Sequence, residues 1–302
     1  LPKIVEAILK SPLPIVEGVG PSRQWLPEGR WETVLDFLRE RFPRMEAAVW
    51  LSRMEKGQML DEAGQRINAG SPYRVGACIF YYRELESEIT IPFVESVLYQ
   101  DEHILVADKP HFLPVIPSGR FLRETLLVRL RKERELEHLV PIHRIDRETA
   151  GVVLFSLNPA TRGVYASLFH DRKIEKTYEA FARTLTHLKF PLTRRSRIER
   201  GVPFFRMKEV EGEANSETHI DVLEQTSDAT LYQLIPITGR KHQLRLHLSA
   251  LGIPIINDRL YPELSFVEDD DFSNPLKLLA KSVSFRDPLT GRTHYFESDR
   301  KL

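Results

Sequence analysis

The chain has 302 residues, with 43 Lys and Arg against 43 Asp and Glu, so its formal net charge is zero. That length buries one large core or two smaller ones, and 42% apolar with 28% charged residues excludes wholesale disorder. The charge balance excludes a uniformly basic coat for nucleic acid, and no apolar stretch reaches the roughly 18–20 residues that a membrane span requires.

Residues 1–30 carry Pro12, Pro14, Pro21 and Pro27 and read as an irregular lead-in, without the basic-then-apolar layout of a signal peptide. Trp31, Val34, Leu35, Leu38 and Phe42 then follow helical spacing up to Pro43. A second helix is expected over Met45–Lys56, closed by Gly57. Strand-like runs at Gln58–Glu62 and Gln65–Ala69 flank Ala63-Gly64, and a further strand is expected over Arg74–Tyr82. The single cysteine, Cys78, lies in that last run. It excludes an internal disulfide or a multi-cysteine metal cluster, and reads as a buried thiol in a reducing compartment, the cytoplasm. The block Thr33–Arg83 resembles the S-four-type RNA-binding domain. The resemblance rests on Val34-Leu35-Asp36-Phe37-Leu38, Gly57, Ile67-Asn68-Ala69-Gly70 and Val75-Gly76. The usual Gly-Asp near the end reads Gly76-Ala77 and basic residues are few, so a generic helical packing module fits the same pattern. A charged linker spans 84–92.

From residue 93 short strands alternate with a few helices. Val97-Leu98-Tyr99 and Ile104–Ala107 read as a hairpin, Thr125–Arg134 as a helix and Gly151–Leu157 as a buried strand. Pro159–Phe169 reads as a helix capped by Asn158. Lys176–Arg183 and Leu231–Ile237 read as strands, and Lys241–Leu251 as a helix ended by Gly252. Without regular strand–helix units, the expected class is α+β: a mixed, largely antiparallel sheet with flanking helices over 93–302. The acidic run Glu268–Asp271 reads as a solvated loop.

Three polar clusters carry chemistry. The first is His143-Arg144-Ile145-Asp146-Arg147-Glu148-Thr149-Ala150-Gly151, before the buried strand. Nearby arginines favour an ionised carboxylate, which at a strand entrance can be nucleophile, general base or metal ligand. By itself Arg-x-Asp-Arg also describes a salt-bridged surface loop. The second is Lys176-Thr177-Tyr178, by itself a tyrosine on a half-exposed strand. The third is Thr238-Gly239-Arg240-Lys241-His242-Gln243-Leu244-Arg245-Leu246-His247-Leu248. Cations at a helix N-terminus oppose the helix dipole and call for an anion nearby, a phosphate or a carboxylate. His242 and His247 are five apart, poor spacing for a shared metal, and no H-E-x-x-H pattern completes it.

In order and spacing the three clusters resemble the RluA-type pseudouridine synthases. That family carries H-R-L-D-R-x-T-S-G, then K-x-Y, then T-G-R-x-H-Q-[IL]-R-x-H-L with a following G-x-P-[IL]-x-G-D-x-x-Y. Here the last motif reads Gly252-Ile253-Pro254-Ile255-Ile256-Asn257-Asp258-Arg259-Leu260-Tyr261. Tyr99–Glu102, Asp108-Lys109-Pro110, Leu278-Leu279-Ala280 and Phe285–Gly291 extend the likeness across about residues 95 to 296. Ile145, Ala150, Asn257, Leu279, Ile116 and Asp287 depart from the family pattern, none of them in the implied catalytic trio. The resemblance implies Asp146 as the essential carboxylate, Arg245 as its partner and Tyr178 as the residue that stacks on the uracil or helps move a proton. His143, Arg144, Arg147, Thr149, Lys176, Arg240, His242 and Gln243 are the implied substrate-binding set.

The implied reaction isomerises uridines of structured RNA, tRNA or rRNA, to pseudouridine. It needs no cofactor, nucleotide or metal, and a monomer is expected. A catalytically silent RNA-binding protein on the same fold is the alternative. A hydrolase using Asp146 and Glu148 as paired carboxylates is disfavoured, since residues two apart on a strand face opposite ways. The charge is also uneven: residues 139–200 carry 12 basic against 6 acidic side chains, and residues 201–302 carry 12 against 16. Within the basic stretch Arg194-Arg195-Ser196-Arg197 is the expected phosphate-contacting run.

Overall fold

The computed structural model describes residues 11–302 except Glu86, Thr186, His187, Ser227, Val267 and Asp269. The first ten residues of the lead-in, Glu86 of the linker and Asp269 of the acidic run therefore lie outside the described residues. The chain divides into two compact units, one ending at Ser87 and the other running from Glu88 to Leu302.

In the smaller unit β1 (Ser22–Trp25) precedes α1 (Val34–Arg41), α2 (Ala47–Glu55), β2 (Met59–Asp61) and β3 (Cys78–Tyr81). The strands form an antiparallel sheet in the order β1-β3-β2. A capping box starts α1: Thr33 Oγ1 accepts from Asp36 N, and Asp36 Oδ2 accepts from Thr33 N. The helices bury Val34, Phe37, Leu38, Trp50 and Met54 against Met59, Ile79 and Tyr81. Cys78 is buried. Two expectations are corrected. Ser22–Trp25, inside the lead-in expected to be irregular, is a strand because β3 offers it an edge. Gln65–Ala69 is not a strand: Asp61 Oδ1 accepts from Ala63 N and Gln65 N, and this local turn displaces all but one bridge, Leu60 to Arg66.

The larger unit contains β4 (Ser96–Gln100), β5 (Ile104–Lys109), α3 (Leu126–Arg134), β6 (Val140–Pro141), β7 (Ala150–Ser156), α4 (Arg162–His170) and β8 (Ile174–Ala182). There follow β9 (Leu192–Arg200), β10 (Met207–Val210), β11 (Ser216–Gln225), β12 (Thr230–Pro236), α5 (Gln243–Ala250), β13 (Leu278–Arg286) and β14 (Thr293–Glu297). Eleven strands join in one sheet of order β10-β9-β11-β12-β8-β13-β7-β5-β4, with β14 on β13 and β6 on β7. Every pairing is antiparallel except β13 with β7. The α+β class with a mixed, largely antiparallel sheet is as the sequence implies.

β7 is buried along its whole length. Its Val153 and Phe155 pack with Leu126, Leu127 and Leu130 of α3, while Val152 and Leu154 pack with Tyr165 and Leu168 of α4. Strand alternation thus requires a helix on each face, which is why the run is continuously apolar. Two helix starts differ from expectation. Asn158 Oδ1 accepts from Ala160 N in a local turn, so α4 begins at Arg162 with Thr161 as its cap. His242 takes a left-handed backbone, φ 56°, so α5 begins at Gln243 rather than Lys241.

Candidate active site

The carboxylate of the first cluster sits on a reverse turn, Asp146–Thr149, closed by Thr149 N donating to Asp146 O at 3.1 Å. The turn delivers the chain into β7. Gly151, which ends the motif, has φ 110° and lies opposite Ala280 of β13. A Cβ there would come within 2.2 Å of the Ala280 carbonyl oxygen, so only glycine lets the two parallel strands meet. Two side chains at the end of β5 hold the turn from behind. Buried Lys109 donates to the carbonyls of Pro110 and Arg147, and His111 Nδ1 donates to the carbonyl of Glu148. Burial pushes the Lys109 ammonium down to about 7, against the opposing charges of Glu148 and Asp146.

Arg245 lies in the first turn of α5 and is 2% exposed. Its Nε and Nη2 donate to the two oxygens of Asp258 at 2.8 and 2.6 Å, and its Nη1 donates to Asp146 Oδ2 at 3.3 Å. Burial opposes the guanidinium charge, but the bidentate bond and the charges of Asp258 and Asp146 outweigh it and raise its pKa. Asp258 is itself wholly buried, and its Oδ1 also accepts from Leu260 N and Tyr261 N. Asn257, in the slot where the family pattern has glycine, has φ 63°, a conformation that asparagine tolerates better than most residues. The anion expected near the cations of the third cluster is thus a pair of carboxylates.

His242 Nε2 stands 3.8 Å from Asp146 Oδ1, and its Nδ1 is 3.0 Å from the Tyr261 hydroxyl. Burial pushes its pKa down to about 4, against the charge of Asp146, so the ring is neutral at physiological pH. Tyr178 lies mid-sheet on β8, between Leu234 of β12 and Ala280 of β13, half-buried. Burial, then the charge of Asp146, raises its phenol above the ordinary value, so it stays protonated.

A cleft of about 1390 Å³ collects these groups. All eleven residues singled out above line it: Asp146, Tyr178, Arg245, His143, Arg144, Arg147, Thr149, Lys176, Arg240, His242 and Gln243. Their surroundings differ. Arg144, Arg240 and Lys241 are exposed at the cleft, as is Arg172, which the sequence reading overlooked. Lys176 is half-buried there and Thr149 is buried. Three others are engaged with the protein. Arg147 donates to the Phe112 carbonyl and lies over the Phe121 ring at 4.7 Å. His143 stacks on Phe169 with ring centroids 4.4 Å apart, and its Nε2 accepts from Leu154 N. Burial pushes His143 down to about 3. Gln243 accepts from Thr238 Oγ1 and Arg240 N and donates to Glu217 O and Thr218 Oγ1, which fastens the loop ahead of α5.

The counter-ion bonded to Asp146 is Arg245, 99 residues along the chain, and the neighbouring Arg147 turns toward Phe112 instead. One expectation changes. In the basic run, Arg194 pairs with Glu209, Arg195 with Glu217 and Arg197 with Glu199. Acids on β9 itself and on its two neighbouring strands compensate that charge, while Arg144, Arg172, Arg240 and Lys241 stand exposed at the cleft. Four further residues support the site: Asp258 and Tyr261 touch Arg245, while Lys109 and His111 hold the carbonyls of Arg147 and Glu148 just after Asp146. The available signals were Asp258 and Tyr261 within the Gly252–Tyr261 motif and Lys109 within Asp108-Lys109-Pro110.

A family model described as RNA pseudouridylate synthase matches residues 103–250. An RNA pseudouridine synthase of Synechocystis is 28% identical over 233 residues, covering 76% of this chain and 79% of that one. The dual-specificity RNA pseudouridine synthase RluA of Escherichia coli is 31% identical over 210 residues, covering 67% of this chain and 91% of RluA. The structure of human RNA pseudouridylate synthase domain containing 1 superimposes with a TM-score of 0.56 at 27% identity, over 68% of this chain and 84% of the human one. Within the matched region Asp146 and Arg245 meet in the cleft, and the chain belongs to the RluA-type family of RNA pseudouridine synthases.

Proposed function

We propose that the protein isomerises uridines in tRNA or rRNA with Asp146 as the essential carboxylate. The observation that supports this most is the chain Asp258–Arg245–Asp146, buried at Asp258 and Arg245 and open to the cleft at Asp146. Isomerisation breaks the N1–C1′ bond, turns the base over and rejoins it through C5, so that a proton leaves C5 and one is gained at N1. Atoms and electrons balance within the substrate, with no donor or redox partner. The chain must supply an anionic group beside the sugar or the base, a surface for the detached ring and a way to hold both. Arg245 orients Asp146 and never titrates. Tyr178, a neutral phenol at the cleft, is the stacking surface, and base–aromatic stacking contributes roughly 1–3 kcal/mol. That offsets part of the few kcal/mol needed to take the uridine out of its helix.

Arg144, Arg172, Arg240 and Lys241 are the phosphate contacts in this reading. Arg147, His143 and Gln243 act indirectly, by holding the Asp146 turn, β7 at Leu154 and the loop before α5. The smaller unit is an RNA-binding module, the enzyme is a monomer and it works in the cytoplasm. No helix among the described residues is long and apolar enough to cross a membrane. A silent RNA-binding protein on the same fold would not require Asp146, Tyr178 and Arg245 to share one cleft.

The test is to map pseudouridines in tRNA and rRNA from cells with and without this gene, then restore the wild-type or Asp146→Asn chain. Loss of defined sites in the deletion, recovered only by wild type, is the expected result. Recovery by Asp146→Asn would remove the assigned carboxylate, and release of free uracil would mark a hydrolase.

A further inference from the structure

Between β9 and β10 the chain turns through Gly201-Val202-Pro203-Phe204-Phe205-Arg206. At the tip Val202 is 91% and Phe204 85% exposed. Large apolar side chains held in water are unfavourable unless something covers them in use. The tip is not a slack loop. Gly201 N donates to Arg206 O, and Arg206 N to Pro203 O. Lys241 Nζ donates to the Phe205 carbonyl from the cleft wall. Arg206 donates to the Pro262 carbonyl and lies over the Tyr261 ring at 5.1 Å, and Met207 N donates to the Tyr261 hydroxyl.

The tip is continuous with the cleft. Phe205 lines the same cavity as Asp146, and Phe204 stands edge-on to Phe205 with ring centroids 5.6 Å apart. Its surroundings are basic: residues 200–208 contain Arg200, Arg206 and Lys208 and no acidic side chain, and Arg240 and Lys241 lie at the adjoining cleft. A rigid, exposed aromatic ring among cations suits a ligand with a flat apolar face and a negative backbone. A nucleobase in a single-stranded stretch of RNA has both.

We propose that Phe204, flanked by Val202, is a stacking subsite for an unpaired RNA base outside the cleft, next to the uridine held within it. The proposal rests on the RNA isomerase reading of the cleft and extends it to a second base. Stacking of this kind corresponds to about a five- to 150-fold contribution to affinity. The subsite fixes which nucleotide can stand beside the target, and so bears on which uridines are accepted.

The experiment uses the full chain with end-labelled bulk tRNA and fragmented rRNA, at one fixed salt concentration. Dissociation constants are measured for wild type, Phe204→Ala and Phe204→Trp, and ultraviolet crosslinks to RNA are located by peptide mass spectrometry. Phe204→Ala is expected to weaken binding about five- to 150-fold, Phe204→Trp to retain it, and a nucleotide adduct to fall within residues 202–206. Melting temperatures control for folding, since the exposed ring leaves little core to disturb. The Asp146→Asn chain should give the same adduct, so the subsite stands even if pseudouridine formation is not found. Unchanged affinity in Phe204→Ala with no adduct in residues 202–206 overturns the proposal. So does a free protein that sediments as a dimer and that Phe204→Ala converts to monomer, which would make the tip a protein contact.

Discussion

Asp146 is held in place by residues distant in sequence. Arg245 reaches it with one guanidinium nitrogen while the other two grip Asp258. The fork geometry is what a lysine lacks: a single ammonium cannot satisfy Asp258 in a bidentate manner and still reach Asp146. Arg245→Lys is therefore expected to lower kcat by about 100-fold or more while RNA affinity changes little, measured by single-turnover kinetics. Asp258→Asn should lower it by a similar factor, since it leaves Arg245 buried beside one weakened partner. If Asp258→Asn were as active as wild type, Asp258 would be a structural acid only. Asp146→Asn should cost more than about 1,000-fold.

At the scale of elements, β7 and α5 place the site, and each depends on one local feature. For β7 it is Gly151, whose φ of 110° and contact with Ala280 leave no room for a side chain. Gly151→Ala is expected to destabilise the enzyme by about 1–3 kcal/mol or more, and to reduce turnover by shifting the Asp146 turn, read from urea melts and kcat together. For α5 it is a buried polar network. His247 binds Thr218 Oγ1 through Nδ1 and meets Ser196 and Ser216 through Nε2, while Gln243 joins the same strand.

Burial lowers His247, His111 and His242 to about 4 and His143 to about 3. The sign follows from linkage. Above about pH 6.5 these rings are neutral in both folded and unfolded chains. As pH falls, the unfolded chain takes up protons that the folded one refuses, so stability is lost from about pH 6.5 down to about 4. Urea midpoints should fall steeply across that window. A flat profile there would show that these rings are charged in the folded protein.

At the scale of the whole molecule, zero net charge coexists with a cleft edged by Arg144, Arg172, Arg240 and Lys241. The salt dependence of RNA binding should therefore be shallow, with a logarithmic slope of about −3 to −6. A slope near −10 would mean that the RNA surface extends well beyond this cleft. Removing the smaller unit, residues 1–87, should weaken RNA affinity more than it changes single-turnover rate at saturating RNA. An unchanged dissociation constant would dispose of its RNA role.

The mix of short strands with a few helices was enough to set the fold class, and the order of His143–Gly151, Lys176–Tyr178 and Thr238–Leu248 gathered the residues that line the cleft. Such motifs are local: a turn, a strand segment and a helix start each carry their own chemistry within ten or so residues. Hairpins and apolar runs were legible for the same reason, the latter as in β7. Boundaries were less so where a side chain competed with the backbone, as Asp61 does after β2 and Asn158 does before α4. Which residues face one another was not local at all. Only the tertiary structure turned Arg147 away toward Phe112, paired Arg194 and Arg195 of β9 with Glu209 and Glu217 of the neighbouring strands, and held Arg245 between Asp146 and Asp258. Those outcomes depend on sheet register and on burial, which decide whether a charge meets water, an acid or the site, and neither is written in the spacing of residues along the chain.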